Sequence, residues 1–595
     1  MFTPALIRRA LFVVAWIAAV WVVIAALTGG VVWLIGPIRL SSRQPYRIVA
    51  VALAAALYCA WRFPRRDIEE DARWVERILD RVSPIVLVLV VLAGCAIGIR
   101  FGTFAAAGSD SYGYVSEASL WLNGQLRTAQ PWVDRMSWPY RGFSFAPLGY
   151  RPLSGPEDGT IVPTYPPGLP LLMAGFQAIA GPGGPYYVVP ILGALALWFT
   201  YLLGREVTGS REAGVFAAAL LLASPPFLAQ IMQPMSDVPV AAGWALVCLL
   251  ALKEPKPRAF SAGLAAGASL LIRPNLLLLA GAPISAWVWP AMRRKDLRRS
   301  AAMLVLRFGA GLVPAVVAIA AFNRYLYGSP LASGYGRFTD LYSLGSVREN
   351  IRNYGHWLLQ AQSPLTGLAL IPFVARSAIR AGERTTSARL CLAAMVTLTF
   401  ASYIFYGVFS HWLYLRFLLP GFPMLFVLMG AGIRLLYLKL PVSVRACIAT
   451  MICAAAVSFG FRFAHDQYVF NQRAFEQRYV RAAREAEQLM PPNAVIFSMQ
   501  HSGSLRYYAH RITLRYDWVL EHRLDSTIRE LQEKGYRPYI VLDDWEEAVF
   551  RKRFGQLSRV GRLDWKPLAR VVGSAEVRIY DPEGRAGDPL STPAQ

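Results

Sequence analysis

The stretch PIVLVLVVLAGCAIGIRFGTFAAAGSDSYGYVSE, residues 84–117, joins two kinds of sequence that differ sharply in polarity. Residues 84–101 are almost wholly apolar and are long enough to cross a hydrocarbon core about 30 Å thick. Asp110, Tyr112 and Tyr114 follow soon after this run. The stretch therefore predicts a membrane span followed by a loop whose carboxylate and tyrosines stand at the boundary between lipid and water.

Apolar runs of this kind recur along the chain. Of its 595 residues, 55% are hydrophobic and 16% are charged, whereas soluble domains carry about 25% charged residues. The composition and the runs of roughly 15–22 residues predict a polytopic α-helical membrane protein. The thirteen predicted crossings are 10–28, 47–61, 84–101, 186–204, 213–229, 238–252, 259–273, 275–290, 303–322, 364–376, 390–408, 417–436 and 444–462.

The net charge of +24 is unevenly distributed. Residues 463–595 hold 20 basic and 18 acidic residues, whereas residues 1–462 hold 41 and 19. Much of the excess lies in short links such as RRKDLRRS at 293–300, 62–81 and 376–389, the positive-inside pattern of cytoplasmic loops. This favours a membrane-lipid partner over nucleic acid. With a cytoplasmic N-terminus, thirteen crossings place the C-terminal part outside, and we predict a multi-pass protein of the plasma (inner) membrane.

Two long links are predicted to be extracytoplasmic: the first loop, 102–165, and the second loop, 323–363. Between them, PPGLPLLMAGFQAIAG at 166–181 is apolar but short and opens on two prolines, so it predicts a half-membrane or strongly tilted helix beside a cavity. Short interfacial helices are expected in both loops. The aromatic residues of the first loop that suit the headgroup zone are Trp132, Trp138, Tyr140, Phe143 and Phe145.

The composition divides the chain into four parts. Residues 1–83 hold two spans and a cytoplasmic link, residues 84–462 form the main membrane domain, and residues 463–582 predict a small α/β domain. Residues 583–595 predict a disordered tail. The strand candidates of the α/β domain are AVIFSM (494–499), RITLRYD (511–517), PYIVLDD (538–544) and EVRIYD (576–581), with a helix near 520–534.

The cysteines and histidines predict no metal centre. All six cysteines lie in apolar runs, which favours buried free thiols, and His501, His510 and His522 are not at zinc-ligand spacing. No cofactor is implied with certainty, and a divalent metal stays open.

Asp110 is the first candidate for chemistry. On a helix that starts near Ser109, Asp110, Tyr114 and Glu117 share one face and could point into one cavity. The alternative is a helix cap, because Ser109 or Asp110 would suit the first turn and the helix dipole.

Asp237 is the second candidate, in QPMSDVPV at 233–240. It lies on a very short link on the same predicted side as the first loop. Ser236 or Asp237 could simply cap the next helix, with Pro239 in its first turn. Acids at membrane depth are nevertheless costly and often functional, so two carboxylates on one side predict an acid–base or metal-assisted site.

Two arginines stand at the same predicted boundary. Arg273 lies between two apolar runs, where it could snorkel to the surface or bind an anion such as a lipid phosphate. Arg416 stands about one turn from His411 at the start of a span, so both could face one pocket, or both could be interfacial anchors.

Acids and arginines thus converge outside the cytoplasm, where an enzyme has neither ATP nor a nucleotide sugar. The chain has no GxxxxGK[ST] loop. An activated group carried on lipid would meet this need, and a polyprenyl phosphate would suit an arginine-lined pocket.

Several loose motifs occur in a characteristic order. The sequence resembles the GT-C superfamily of integral-membrane glycosyltransferases over about 84–440, in the branch of protein O-mannosyltransferases and aminoarabinose transferases (glycosyltransferase family 39). The motifs are the loop acid Asp110, TYPPGLPLL (164–172), ASPPFLAQIMQPMSDVPVAAGWAL (223–246), IRPN (272–275), NRYLYGSPLASGYG (323–336) and YLRFLLPGFP (414–423).

The resemblance implies a GT-C-like membrane domain and an inverting transfer of a sugar from a polyprenyl-phosphate donor to an acceptor hydroxyl or amine. The acceptor would be an envelope glycan, lipid or protein. Asp110 would be the general base and Asp237 a supporting acid, whereas Arg416 and Arg273 would bind the donor phosphate. The remaining substrate-binding candidates are Tyr112, Tyr114, Tyr165 and His411.

Two other functions compete with this interpretation. A transporter or flippase of a lipid-linked saccharide should show internal repeats and acids at mid-membrane, whereas the acids here lie at loop junctions. A non-catalytic membrane scaffold would leave the loop motifs as caps and anchors.

Overall fold

The computed structural model describes residues 4–30, 32–35, 38–41, 45–375 and 383–584. All thirteen predicted crossings overlap helices in these residues. The α-helices before residue 467 are α1 (Pro4–Thr28), α2 (Pro45–Arg62), α3 (Arg65–Arg100), α4 (Asp110–Leu122), α5 (Arg141–Phe145), α6 (Gly168–Ala180), α7 (Pro185–Thr208), α8 (Arg211–Ala223), α9 (Pro225–Ile231), α10 (Asp237–Ala251), α11 (Ala259–Ile272), α12 (Gly281–Arg293), α13 (Arg298–Tyr327), α14 (Phe338–Leu341), α15 (Val347–Gln362), α16 (Ile371–Val374), α17 (Glu383–Tyr403), α18 (Phe422–Lys439) and α19 (Val442–Asp466).

Within the described part of the chain, seven helical stretches are long and apolar enough to span a membrane, or eight if the bent pair α8–α9, at 67°, is one span. The chain is therefore a multi-pass membrane protein. Thirteen full crossings stay a prediction, because α10 and α11 have 15 and 14 residues. At 1.5 Å per residue, such helices are shorter than a hydrocarbon core of about 30 Å.

Small residues let the central helices approach closely. A side chain on Gly311 of α13 would meet the backbone oxygen of Phe260, and one on Gly263 of α11 would meet that of Phe308. Close backbone contact of this kind is a main source of helix association in membranes, where burial of apolar side chains contributes little. The α11–α13 pair is therefore held by a glycine contact.

The predicted short helix at 166–181 is α6, which begins after Pro167 and has 13 residues. It packs against α4, α7 and α11. A side chain on Gly168 would lie 2.6 Å from the backbone carbon of Leu271. A half-membrane position for α6 stays a prediction.

The C-terminal domain has the predicted α/β architecture. The sheet order is β6–β5–β7–β9–β8, with β5, β6 and β7 parallel and the last two strands antiparallel to their neighbours. Its elements are α20 (Gln472–Leu489), β5 (Ala494–Phe497), α21 (Ser502–Ala509), β6 (Ile512–Leu514), α22 (Leu524–Glu533), β7 (Arg537–Asp543), α23 (Asp544–Phe554), β8 (Ala569–Val571) and β9 (Val577–Tyr580). The preceding strands form two hairpins, β1 (Val32–Ile35) with β2 (Ile38–Ser41), and β3 (Tyr150–Pro152) with β4 (Ile161–Pro163).

Both faces of this sheet are covered, which explains why strand β5 is buried at every position. Helices α20 and α21 cover one face with small and apolar residues. Helices α22 and α23 share the other face with a segment of the first loop. The C-terminal domain is thus completed by residues from far upstream in the chain.

The aromatic residues of the first loop differ in position from the prediction. Trp138 and Phe145 are 2% and 0% exposed in the core of the C-terminal domain, and Phe143 stacks on Trp518 with ring centroids 4.3 Å apart. They cover an apolar sheet face that would otherwise meet water, so they are not placed for the headgroup zone. Of the predicted tail, residues 585–595 lie outside the described residues.

Candidate active site

Asp110 is the first residue of α4, at the end of the bundle that carries the C-terminal domain. Its Oδ2 accepts a hydrogen bond from Nη2 of Arg416 at 3.0 Å, and its Oδ1 accepts one from the hydroxyl of Tyr165 at 2.7 Å. Ser109, the N-cap residue, makes no side-chain capping bond, and its Oγ lies 2.8 Å from the Tyr165 hydroxyl. The carboxylate of Asp110 is therefore used for contacts between elements and not for capping.

The surroundings of Asp110 favour its ionised form. Burial acts to raise the pKa of the carboxyl, but the positive charge of Arg416 and the hydrogen bonds from Tyr165 and Arg416 outweigh burial and hold the pKa below its usual value. Asp110 is consequently a carboxylate at neutral pH.

Asp237 begins α10 and is fully buried. Its Oδ1 accepts a hydrogen bond from Nη2 of Arg273 at 2.8 Å. Its Oδ2 lies 3.8 Å from Nη1 of Arg416 and has no hydrogen-bond partner among the described residues. A fully buried carboxylate needs counter-charges, and Arg273 and Arg416 supply them.

Arg273 and Arg416 both point into the protein. Arg273 follows α11 and also contacts the hydroxyl of Tyr403, with Nη1 and the phenolic oxygen 3.4 Å apart. Arg416 lies in the 3₁₀ segment Trp412–Gly421, and its guanidinium carbon is 5.2 Å from the ring centroid of Phe417. Side-chain exposures of 14% and 17% exclude snorkelling to the surface.

These four side chains form one group, the acid–arginine cluster, made of Asp110, Arg416, Asp237 and Arg273. The first loop, the start of α10, the end of α11 and the 3₁₀ segment each contribute one member. Two carboxylates balance two guanidiniums, so the charges compensate. Such a cluster can bind an anion through the arginines while it keeps a base nearby.

Two of the predicted tyrosines support the cluster. The ring centroids of Tyr165 and Tyr114 are 4.5 Å apart, and the Tyr114 hydroxyl donates to Oγ of Ser236 at 3.0 Å. The second contact ties α4 to the residue before Asp237.

Asn275 and Tyr403 were not predicted. The amide Nδ2 of Asn275 donates to the Tyr403 hydroxyl at 3.2 Å, beside Arg273. Asn275 stands in the IRPN motif, which could have drawn attention to it, whereas nothing in the sequence distinguishes Tyr403 from other interfacial tyrosines.

Three predicted side chains lie away from the cluster. Tyr112 comes two residues after Asp110 and thus points to the other side of α4, where it packs on Gly503 and Tyr150. Glu117 is on the same face as Asp110, but it lies two helical turns away and bonds to Trp121.

His411 is exposed and caps the 3₁₀ segment by accepting from the backbone N–H of Leu413. A 3₁₀ helix has three residues per turn, so Arg416 is aligned with Leu413 and not with His411.

The cluster does not fit a divalent metal site. Groups of three His, Cys, Asp or Glu side chains suited to metal binding do not occur in the described ranges. Both carboxylates already have arginine counter-charges, which a cation would have to displace. The alternative left open by the sequence gains no support from these contacts.

Comparisons with known proteins agree with the architecture. Residues 164–319 match the family model described as dolichyl-phosphate-mannose-protein mannosyltransferase. No curated protein sequence matches the chain significantly.

Among solved structures, the chain is similar to ArnT from Cupriavidus metallidurans in the apo state, with 13% identity, a TM-score of 0.53, and coverage of 83% of this chain and 97% of ArnT. For the same ArnT bound to undecaprenyl phosphate, the identity is 12% and the TM-score is 0.50, with coverage of 85% of this chain and 99% of ArnT. For the apo oligosaccharyltransferase of Archaeoglobus fulgidus, the identity is 14% and the TM-score is 0.51, with coverage of 83% of this chain and 74% of the oligosaccharyltransferase. These likenesses confirm the predicted fold class.

Proposed function

Because the chain has the GT-C fold of integral-membrane glycosyltransferases, we propose that it moves a sugar from a polyprenyl-phosphate donor to an acceptor, with inversion at the anomeric carbon. The observation that carries this proposal is the acid–arginine cluster, which puts an ionised carboxylate 3.0 Å from a guanidinium where the first loop meets the bundle. The solved ArnT complex with undecaprenyl phosphate supports a donor of this chemical class.

Asp110 is the general base in this proposal. Inversion requires the acceptor to attack opposite the leaving phosphate, while a base removes the proton of its hydroxyl or amine. Asp110 suits this role because it is ionised and belongs to the loop acid motif. Tyr165 orients the carboxylate through its hydrogen bond to Oδ1.

Arg416 and Arg273 bind the donor phosphate. Negative charge grows on the phosphate as its bond to the sugar breaks, and fixed guanidiniums stabilise that charge most in the transition state. Asp237 supports both arginines by its position between them.

The site faces the extracytoplasmic side of the plasma membrane in this proposal, together with the C-terminal domain. The basic links predicted to be cytoplasmic support this orientation. The donor would then arrive through lipid, and an envelope glycan, lipid or protein acceptor would arrive from water.

Sugar transfer in membranes supplied with labelled polyprenyl-phosphate sugars tests the proposal. Asp110→Asn should lower transfer by about a hundredfold or more, because it removes the base. Asp134→Asn is the matched control, since Asp134 is an exposed acid of the same loop. Undiminished transfer by Asp110→Asn would move the base to another residue. No transfer by the wild type from any sugar donor would contradict the proposal, and movement of lipid-linked saccharide would then favour a transporter.

A further inference from the structure

We propose that the donor phosphate itself unblocks the base: on binding, it draws Arg416 away from Asp110, and Arg416 then pairs with the second oxygen of Asp237. The inference rests on the proposed function and adds an order of events to it. Asp110 is blocked until the donor is in place.

The first observation is that one guanidinium serves two roles. Arg416 donates to Oδ2 of Asp110 at 3.0 Å, so it occupies the oxygen that an acceptor would approach. The same side chain is the proposed ligand of the donor phosphate. Asp110 takes one N–H of Nη2, so a phosphate that binds two N–H groups side by side on that edge of the guanidinium competes with Asp110, whereas Nη1 can turn to Asp237.

The second observation is a place for Arg416 to move to. Oδ2 of Asp237 is buried, lacks a hydrogen bond within the described residues, and lies 3.8 Å from Nη1 of Arg416. That Nη1 group instead contacts the thioether sulfur of Met235 at 3.2 Å, and a thioether is a weak acceptor. A small movement would exchange this contact for a charge-assisted hydrogen bond.

Asp237 is held in an orientation that fits this exchange. Arg273 bonds to its Oδ1 at 2.8 Å, so the carboxylate cannot rotate freely and Oδ2 stays directed at Arg416. A buried oxygen without a hydrogen bond is costly. Its pairing with Arg416 offsets part of the cost of breaking the Asp110–Arg416 pair.

Loss of Arg416 would make Asp110 a stronger base. The groups that face Asp110 are Ser109 before α4, Tyr114 on α4, Tyr165 before α6, Tyr335 in the second loop, Tyr406 after α17, and Arg416 and Arg273. Among them, Arg416 is the nearest positive charge. An incoming phosphate and a departing guanidinium both favour protonation of the carboxylate.

Sugar transfer follows once Asp110 is free. The acceptor lone pair forms a bond to the anomeric carbon, and the acceptor proton goes to Asp110. The bond between the anomeric carbon and the phosphate oxygen breaks, and its electron pair stays on the phosphate. Arg416 and Arg273 hold the phosphate as its charge grows.

Binding of undecaprenyl phosphate to the full-length protein in lipid nanodiscs tests the exchange. Asp110→Asn should tighten binding about tenfold, because Arg416 no longer has to leave an ionised partner. Asp237→Asn should weaken binding about tenfold, because its amide N–H₂ cannot accept from Arg416. Asp134→Asn is the control, and a cooperative melting transition above the temperature of the binding measurement verifies that each variant is folded.

The opposite changes in affinity expected for Asp110→Asn and Asp237→Asn distinguish this exchange from simple electrostatics. Without the exchange, removal of either negative charge near an anion should tighten binding. Similar tightening in both variants would overturn the exchange and leave the proposed function standing. Unchanged or weaker binding by Asp110→Asn would also overturn it. The absence of saturable binding by the wild type would contradict the proposed function as well.

A cryo-EM structure with undecaprenyl phosphate gives a readout that does not depend on variants. The distance between Arg416 and Asp110 should exceed about 4 Å, the limit of an ion pair, while Arg416 comes within hydrogen-bond distance of Asp237. A bound phosphate beside an unchanged Asp110–Arg416 pair would refute the exchange.

Discussion

Asp110 and Glu117 lie on one face of α4 and meet opposite surroundings. Asp110 has a guanidinium and a phenol as partners, which hold its pKa below the usual value in spite of burial. Glu117 is fully buried and accepts one long hydrogen bond, from Trp121 at 3.3 Å. Burial therefore raises the pKa of Glu117 well above its usual value. One helix thus carries one acid whose charged form is stabilised by its partners and one whose charged form is disfavoured by burial.

Glu117→Gln should make the protein more stable at neutral and alkaline pH. A carboxyl whose pKa is raised by folding costs stability as the pH rises above its unfolded pKa. The wild type and the variant should therefore melt alike below about pH 4, where both side chains are neutral. They should separate above that pH, with the variant melting at the higher temperature.

Asp110→Asn is the contrasting variant in this measurement of melting temperature against pH. Its wild-type pKa is lowered by folding, so the Asp110 carboxylate contributes stability above its unfolded pKa. Asp110→Asn should consequently melt lower than the wild type at neutral pH. A Glu117→Gln variant that also melts lower there would show that Glu117 is ionised in the folded protein.

At the scale of elements, α11 and α13 depend on two glycines that face each other's backbone. Gly311→Val should destabilise the protein by about 1–3 kcal/mol, because the new side chain would overlap the carbonyl of Phe260 and force the helices apart. The measurement is the melting temperature in detergent.

Gly309→Val is the matched control on the same helix. A side chain there would meet nothing within 4 Å, so the variant should melt close to the wild type. Equal losses in both variants would mean that helix propensity, and not the contact between α11 and α13, sets the cost.

The elements also show why part of the site was predictable. Charged residues beside apolar runs are costly, so Asp110, Asp237, Arg273 and Arg416 stood out and do meet in one cluster. Tyr403 is an uncharged residue in a common setting and carried no such signal. The 3₁₀ segment, with its different period, explains why His411 and Arg416 do not share one face.

For the whole molecule, the helices of the membrane domain and the α/β class of the C-terminal domain follow from apolar periodicity and composition. The contacts between these two domains do not follow from such patterns, because they join residues hundreds of positions apart. Arg506 of α21 is a central contact: it bonds to Oε1 of Gln130, to the carbonyl of Phe145 and to Oγ1 of Thr513. No local pattern in the first loop indicates these partners.

Arg506→Ala should loosen the first loop from the C-terminal domain. Loss of charge-assisted hydrogen bonds and a newly unpaired carbonyl should cost about 2–3 kcal/mol. Limited proteolysis should then cut the first loop faster, and the melting temperature should fall. Arg529→Ala, at an exposed arginine of α22, is the control and should change neither. Equal cleavage of both variants would contradict the role of Arg506.

The long reach of these contacts has a consequence for synthesis. The backbone N–H of Ala106, four residues before Asp110, donates to the hydroxyl of Tyr508, which is 402 residues further along the chain. At about 5–20 residues per second, the first loop waits on the order of 20–80 seconds for this partner. The loop that carries Asp110 is therefore made early but completes its contacts late. A chain cut short before the C-terminal domain should lack a properly formed acid–arginine cluster, although all four cluster residues are present.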